Sequence, residues 1–253
     1  MNILHEIAAR TKERVELQKK ILPSAQMIEL TQIAGGNKSP FEDALKTNDI
    51  AFICEIKKAS PSKGVIAEDF PYVQIAKEYE AAGAEAISVL TEPFYFKGHD
   101  NPLREIANEV SIPLLRKDFT VDSYMIYEAK LLGASAVLLI CTLLDFETLA
   151  EYIAIARGIG LSALVETHSE EEVDMALKAG ARIIGVNNRN LKTFEVDMTL
   201  SERLRKLVPP DVLFVSESGI KTPEDVARMR EIGADAVLIG ETLMKGAKLE
   251  WLK

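Results

Sequence analysis

AGAEAISV (82–89), LGASAVLL (132–139), AGARIIGV (179–186) and IGADAVLI (232–239) are four versions of one device. Each closes a helical stretch on a glycine, follows it with alanine and opens an apolar, β-prone run. Glycine accepts the left-handed turn that ends a helix, and the small alanine lets the next strand start close by. Gly83, Gly133, Gly180 and Gly233 stand 50, 47 and 53 residues apart, about two strand–helix units per step.

Outward from these four sites, eight short apolar runs emerge: 51–57, 84–90, 112–117, 135–140, 161–166, 182–187, 212–217 and 236–240. Between them lie stretches with helical spacing, such as SEEEVDMALKAG and TPEDVARMREIG. Ser169 before a run of glutamates and Thr222-Pro223-Glu224 carry helix-start chemistry. Continuous hydrophobic strands alternating with helices predict a parallel sheet covered on both faces. The glycine device precedes the second, fourth, sixth and eighth strands, which is the fourfold echo of a (β/α)8 TIM barrel. A doubly wound sheet is the alternative, and the lack of GxGxxG after the first strand counts against it.

The expectation is therefore one α/β domain over 1–253, with an N-terminal helical extension in 1–50 and the barrel in 51–253. In the extension, Ile3, Leu4, Ile7, Val15 and Leu22 form one apolar stripe, and PFEDALK (40–46) reads as a second short helix. A lid over the bottom or flank of the barrel is favoured over a segment that reaches the active-site rim.

Composition narrows the function. Thirty Lys and Arg against thirty-nine Asp and Glu leave a net charge of -9, a surface that repels nucleic-acid backbones. The start, MNILHEIAARTKERVELQKK, lacks a signal-peptide pattern, and the longest nearly apolar run, 134–144, is far short of the roughly 18 residues of a membrane span. A cytoplasmic protein is expected, with no membrane and no nucleic-acid partner. Cys54 and Cys141 sit in apolar runs without CxxC spacing and read as small buried hydrophobes. His5, His99 and His168 share no metal-ligand spacing, and the sequence signals no metal or organic cofactor. His168, close to Glu166, is weighed as a rim contact and set below an ordinary packing role.

A barrel's chemistry lies at the C-terminal ends of its strands. There the sequence places Glu55 and Lys57, Lys117, Glu166, Asn187 with Arg189, Glu217 with Ser218, and Gly240 with Glu241. Charges on apolar strands must pair with one another or meet a ligand. So many on one rim favour a catalytic site over a structural ring of salt bridges. Glycines after strands seven and eight suit an anion held by backbone N–H groups, and KKASPSKGVI (57–66) reads as a cationic flap.

CEIKKASPSKGVI, SVLTEPFYFKG, LLRKDFTVD, LVETHSEEE, IIGVNNRNLKTFEVD, VSESGI and LIGETLM resemble, in this order, the motifs of the indole-3-glycerol phosphate synthase family. The resemblance covers essentially the whole chain; EIKKASPSKG and LRKDF are its most specific parts. Asn190 departs from a frequent Asp and leaves Asn187 and Arg189 intact.

The resemblance implies a carboxy-lyase of tryptophan biosynthesis. It would convert 1-(2-carboxyphenylamino)-1-deoxyribulose 5-phosphate into indole-3-glycerol phosphate, CO2 and water. It implies Lys117 as general acid, Glu55 as its ion-pair partner and Glu166 as the carboxylate for proton transfer. Lys57 is implied as a second acid or phosphate contact, and sequence leaves open which lysine serves which step. Asn187, Glu217 and Ser218 complete the catalytic network. Arg189 is implied for the substrate carboxylate, opposite a phosphate side made by Lys57, Gly219, Gly240 and the backbone of Glu241. Phe96, Phe119, Leu138 and Leu191 would form the aromatic slot, and Ser60 would lie near the substrate. The implied partner is a small phosphorylated substrate, with other tryptophan-pathway enzymes as candidates beside it. The alternatives are a Schiff-base aldolase acting on another phosphosugar, and a non-catalytic barrel scaffold.

Overall fold

The computed structural model describes residues 3–34, 40–67, 69–190 and 192–246. Eight parallel strands form a closed barrel: β1 (Ala51–Ile56), β2 (Ala86–Leu90), β3 (Leu114–Lys117), β4 (Ala136–Ile140), β5 (Ser162–Thr167), β6 (Ile183–Asn187), β7 (Leu213–Glu217) and β8 (Ala236–Ile239). Each pairs with its sequence neighbour, and β1 pairs with β8 to close the ring. The (β/α)8 expectation holds, each of the eight runs supplying one strand.

Helices α1 (Ile3–Ile21), α2 (Ser24–Ala34) and α3 (Pro40–Ala44) precede the barrel. One helix follows each strand in turn: α4 (Tyr72–Ala82), α5 (Asp100–Ala107), α6 (Tyr124–Leu131), α7 (Phe146–Gly158), α8 (Glu170–Lys178), α9 (Thr199–Arg205), α10 (Pro223–Glu231) and α11 (Glu241–Met244). The repeated glycines Gly83, Gly133, Gly180 and Gly233 all have positive φ, between 77 and 98°, as the device requires. Ser169 caps α8 by accepting from Glu172 N at 3.2 Å, and Thr222 with Asp225 forms a capping box on α10.

Side-chain parity along the strands builds the site. Phe52, Cys54 and Ile56 of β1 face the helices, whereas Ala51 and Ile53 join Leu115, Leu138, Leu164, Val215 and Leu238 in the barrel interior. Continuing the inward parity gives Glu55 and Lys57 on β1, Lys117 on β3, Glu166 on β5, Asn187 on β6 and Glu217 on β7. Each strand thus begins apolar and ends charged. Phe41 and Leu45 join the same interior cluster, and Glu42 of α3 pairs with Arg182 at 2.6 Å.

The N-terminal region differs from expectation in two ways. It forms three helices, not two, because Ser24–Ala34 is a helix of its own whose Met27 packs with Val15, Tyr124 and Met125. Besides flanking the barrel, α1 carries Ile3, Leu4 and Ile7 into the wall of the cavity at the strand tips. The favoured lid role therefore fits α3, while α1 reaches the rim. The flap after β1 is also more ordered than a plain loop: Ala59–Ser60 pairs antiparallel with Gly64–Val65.

Cys54 and Cys141 are buried free thiols. Among the described residues, no helix is long and apolar enough to cross a membrane, and no cluster of His, Cys, Asp and Glu could hold a metal ion.

Candidate active site

A cavity of about 950 Å³ opens at the C-terminal ends of the strands. Its wall contains Glu55, Lys57, Lys117, Glu166, Asn187, Glu217 and Ser218, and also Ser60, Phe96, Phe119, Leu138, Arg189, Gly219, Gly240 and Glu241. Every residue anticipated for the site is gathered here except Leu191, which lies outside the described residues.

At the floor, the ammonium of Lys117 lies 2.9 Å from Glu217 Oε2 and 3.3 Å from Glu166 Oε2. The register explains the meeting: Glu166 of β5 stands level with Gly185 of β6, and Asn187 of β6 with Glu217 of β7. Gly185 has no Cβ, and Glu217 Oε1 occupies the space where one would project, only 2.2 Å from its ideal position. The close ion pair of Glu55 is with Lys57, while its charge also acts on Lys117, the partner the resemblance implied. The reason is reach: Lys57 is two residues on along the same inward face, whereas Lys117 is already held by β5 and β7.

The charges settle one another. Burial would lower Lys117, but Glu217, Glu166 and Glu55 push its pKa above the ordinary lysine value and keep it charged. Burial would raise Glu55, yet the ammonium groups of Lys57 and Lys117 hold it below the usual carboxylate range. Glu217 goes the other way: burial, reinforced by Glu166 and Glu55, outweighs Lys117 and pushes it up to about 7. The floor therefore holds a fixed cation beside a carboxyl group poised to carry a proton near neutral pH.

Above the floor, Phe96 and Phe119 meet at a tilted 6.0 Å ring separation, and Leu138 is buried beside them, an apolar wall suited to an aromatic ring. Across the cavity, Ser218 and Gly219 both have positive φ, 65° and 96°, and Asn188 Nδ2 donates to Ser218 O at 3.1 Å to hold that turn. A non-glycine residue in this conformation is strain kept at a site that uses it. Glu241 gathers the cations of the rim: Lys245 at 2.6 Å, Arg189 at 3.7 Å and Lys63 of the flap at 3.9 Å. Lys245, with Lys63 and Arg189, holds Glu241 below the usual carboxylate range. Arg189 and Glu241, expected to hold opposite ends of a substrate, are thus neighbours here. The 188–197 loop folds back through an Arg189–Val196 bridge, and Arg189 donates to Phe194 O at 3.1 Å.

Asp118, Lys221 and Lys245 join the site without having been singled out in the sequence. Asp118, fully buried beside Lys117, accepts from Arg14 of α1 at 2.7 Å and from Thr91 at 2.8 Å. His168 follows two residues after Glu166 with the same inward parity, its Nε2 3.5 Å from Glu166 Oε1, so the rim contact weighed from the sequence is present. Lys63, Lys221 and Lys245 add cations to the cavity wall. The LRKDF and VETHS motifs held the clue for Asp118 and His168, since polar residues flanking an inward charge are well placed to support it.

Compared with known proteins, residues 4–251 match the family model described as indole-3-glycerol phosphate synthase. The chain is similar to the indole-3-glycerol phosphate synthase of Ruminiclostridium cellulolyticum, 62% identical with 99% of this chain and 98% of that one covered. It is also similar to those of Endomicrobium trichonymphae (53% identical; 98% and 96% covered) and Lachnoclostridium phytofermentans (52%; 97% and 95%). Among solved structures, the N-acetylmannosamine-6-phosphate 2-epimerase of Clostridium perfringens superposes with a TM-score of 0.60 at 17% identity, covering 80% of this chain and 90% of that one. That likeness concerns the fold alone.

Proposed function

This chain belongs to the indole-3-glycerol phosphate synthase family, and from that premise we propose how its own residues carry the reaction. The activity is that of a carboxy-lyase in tryptophan biosynthesis: 1-(2-carboxyphenylamino)-1-deoxyribulose 5-phosphate is closed, decarboxylated and dehydrated to indole-3-glycerol phosphate. The substrate is a small phosphorylated molecule. The observation that carries the residue assignment is Lys117 held between Glu166 and Glu217 at the floor of a cation-rimmed cavity.

In our reading the substrate's aromatic ring lies against Phe96, Phe119 and Leu138, with Leu191 completing that slot. Its phosphate meets Lys57 and the backbone N–H groups of Gly219, Gly240 and Glu241, where glycine lets an anion approach the chain closely. Arg189 exchanges Glu241 for the substrate carboxylate, which its planar fork pairs bidentately. Ser60 closes over the substrate from the flap.

Ring closure needs a proton at the ketone oxygen as the ring carbon attacks, and Lys117 supplies it. Loss of CO2 from that carbon returns the electron pair to the aromatic system. Dehydration then breaks the bond to the former ketone oxygen, with one acid protonating the departing hydroxyl and Glu166 taking the ring proton. Lys57, charged against Glu55, is the candidate for that second acid. Asn187, Glu217 and Ser218 orient the hydroxyls and share the protons of the floor. General acid–base steps of this kind contribute a factor of about 10² to 10⁴ each. We also propose a cytoplasmic location and contact with other tryptophan-pathway enzymes, because the product is an intermediate that a further enzyme must consume.

The deciding experiment mixes the purified protein with the carboxyphenylamino-deoxyribulose phosphate and follows indole absorbance and CO2. Equal yields of both are expected. Borohydride trapping of a covalent adduct on Lys117 or Lys57 would instead establish the aldolase alternative. Substrate binding without turnover would favour a scaffold.

A further inference from the structure

His168 lies just past the end of β5, two residues after Glu166 and on the same inward parity, and the imidazole is mostly buried between two carboxylates. Nε2 lies 3.5 Å from Glu166 Oε1, and Nδ1 lies 3.4 Å from Glu172 Oε2 of α8. Glu172 is itself fixed: its Oε2 accepts from the His168 backbone N at 2.7 Å, and its Oε1 accepts from Thr142 at 2.6 Å. The buried thiol of Cys141 donates to Glu172 O at 3.7 Å, while Glu217 and Lys117 lie beyond Glu166. The groups facing the imidazole are therefore two carboxylates in contact, a third further off, an undissociated thiol and one distant ammonium.

This arrangement matters because of what happens at Lys117. When that ammonium gives its proton to the ketone oxygen, Glu166 and Glu217 lose their shared counter-ion inside a low-dielectric floor. Adjacent uncompensated carboxylates in such a place are costly. The nearest positive charge available to Glu166 from its other side is an imidazolium at residue 168.

We propose that His168 is a positioning residue for the reaction, its imidazolium holding Glu166 in orientation and balancing its charge while Lys117 is neutral. The inference rests on the reading of Glu166 and Lys117 as proton-transfer partners. No bond is made or broken at His168; it acts through Glu166. Although burial works against the charged form, Glu172, Glu166 and Glu217 raise the pKa of His168 above the ordinary histidine value. The support it gives is thus present while the imidazole is protonated and is lost as pH rises through that higher folded value. The 3.5 Å separation is of the kind that tightens once substrate is in place.

The test uses turnover and nuclear magnetic resonance. His168→Gln is expected to lower kcat about tenfold with KM little changed, the pattern of an interaction realised in the transition state. The wild-type kcat is expected to decline on the alkaline side as His168 loses its proton, and the variant's should not. Because the chain has three histidines, the ring signal of His168 can be assigned and titrated. Its titration should move to lower pH in Glu166→Gln, because one of the carboxylates that raises it is gone. A His168→Gln enzyme with wild-type kcat and the wild-type alkaline limb overturns the proposal, as does a His168 titration indifferent to Glu166→Gln. The resonance arm stands even if His168→Gln does not fold. Wild-type-like turnover by Glu166→Gln would defeat the underlying assignment of the base instead.

Discussion

Arg14 of the N-terminal helix holds Asp118 at 2.7 Å, and Asp118 is the residue directly after Lys117. Glu6, Arg10, Arg14 and Gln18 recur every fourth residue on α1. They meet Tyr95, the Phe94 ring, Asp118 and Glu128 in turn. One face of α1 is therefore laid as a polar strut along the loops after β2 and β3 and onto α6, and it passes Asp118 beside Lys117 on the way.

Arg14→Ala should loosen both stability and catalysis. Asp118 is fully buried, and Arg14 and Arg116 hold it below the usual carboxylate range against burial. Removing one partner of a buried pair costs about 3–5 kcal/mol. Here roughly 2 kcal/mol is expected, because Arg14 is partly exposed and Asp118 keeps Thr91 and Arg116. Thermal unfolding should show the loss, and kcat should fall with it. Unchanged kcat in a destabilised variant would show that the strut does not reach Lys117.

Lys117→Ala should fold and lose nearly all turnover, at least about 10²-fold. The variant leaves Glu166 and Glu217 buried without their shared cation, so Glu217, already raised by burial, holds its proton more tightly still in the folded state. Stability tied to such protons is present at low pH and lost as pH rises. The variant's melting temperature should therefore approach that of the wild type near pH 5 and fall behind it by pH 8. Retained activity would remove Lys117 from the role of acid.

The strands and their charged tips are legible in the sequence for one physical reason. A (β/α)8 strand buried on both faces reads as an apolar run, so Lys117, Glu166 or Glu217 at its end stands out. Arg14 and Asp118 are different: 104 residues separate them, and nothing local in either stretch names the other. Helix α2 was hidden because Leu30 and Ile33 are exposed, which blurs the apolar stripe a buried helix would show. The close partner of Glu55 is not legible in the sequence, because parity places both Lys57 and Lys117 inside the barrel. Which of them Glu55 meets depends on the carboxylates already gathered around Lys117.

Glu217→Gln should change how stability depends on pH. The folded pKa of Glu217 is raised, to about 7, by burial and by Glu166 and Glu55. Its protonated form is favoured on folding, so wild-type stability from this group is present below its ordinary value of 4.5 and declines as pH climbs toward 7. Glutamine does not titrate. The melting temperature of Glu217→Gln relative to wild type should therefore be higher at pH 8 than at pH 5. A constant difference between the two pH values would contradict the raised carboxyl.

Gly185→Ala tests whether a strand glycine sets the catalytic geometry. An added Cβ would sit 2.2 Å from Glu217 Oε1 and 3.2 Å from Leu164 Cδ1. The first of these atoms is the end of a flexible side chain without a hydrogen bond, and the second can yield by a few tenths of an ångström. The backbone is not what blocks the methyl group, so the fold should survive with a small loss of stability, about 1 kcal/mol. Glu217 must rotate away, however, and its other oxygen is the one 2.9 Å from Lys117. A displacement of about 1 Å at a reacting group can cost on the order of 10²-fold in rate. Gly185→Ala is therefore expected to melt within a few degrees of wild type while kcat falls by one to two orders of magnitude, as measured by indole formation. Because a glycine inside a strand signals the close approach of another group, Gly185 is, beside Asn187, a feature of the floor that RIIGVN discloses. Wild-type kcat in this variant would mean that Glu217 tolerates displacement, and that Lys117 draws its orientation from Glu166 alone.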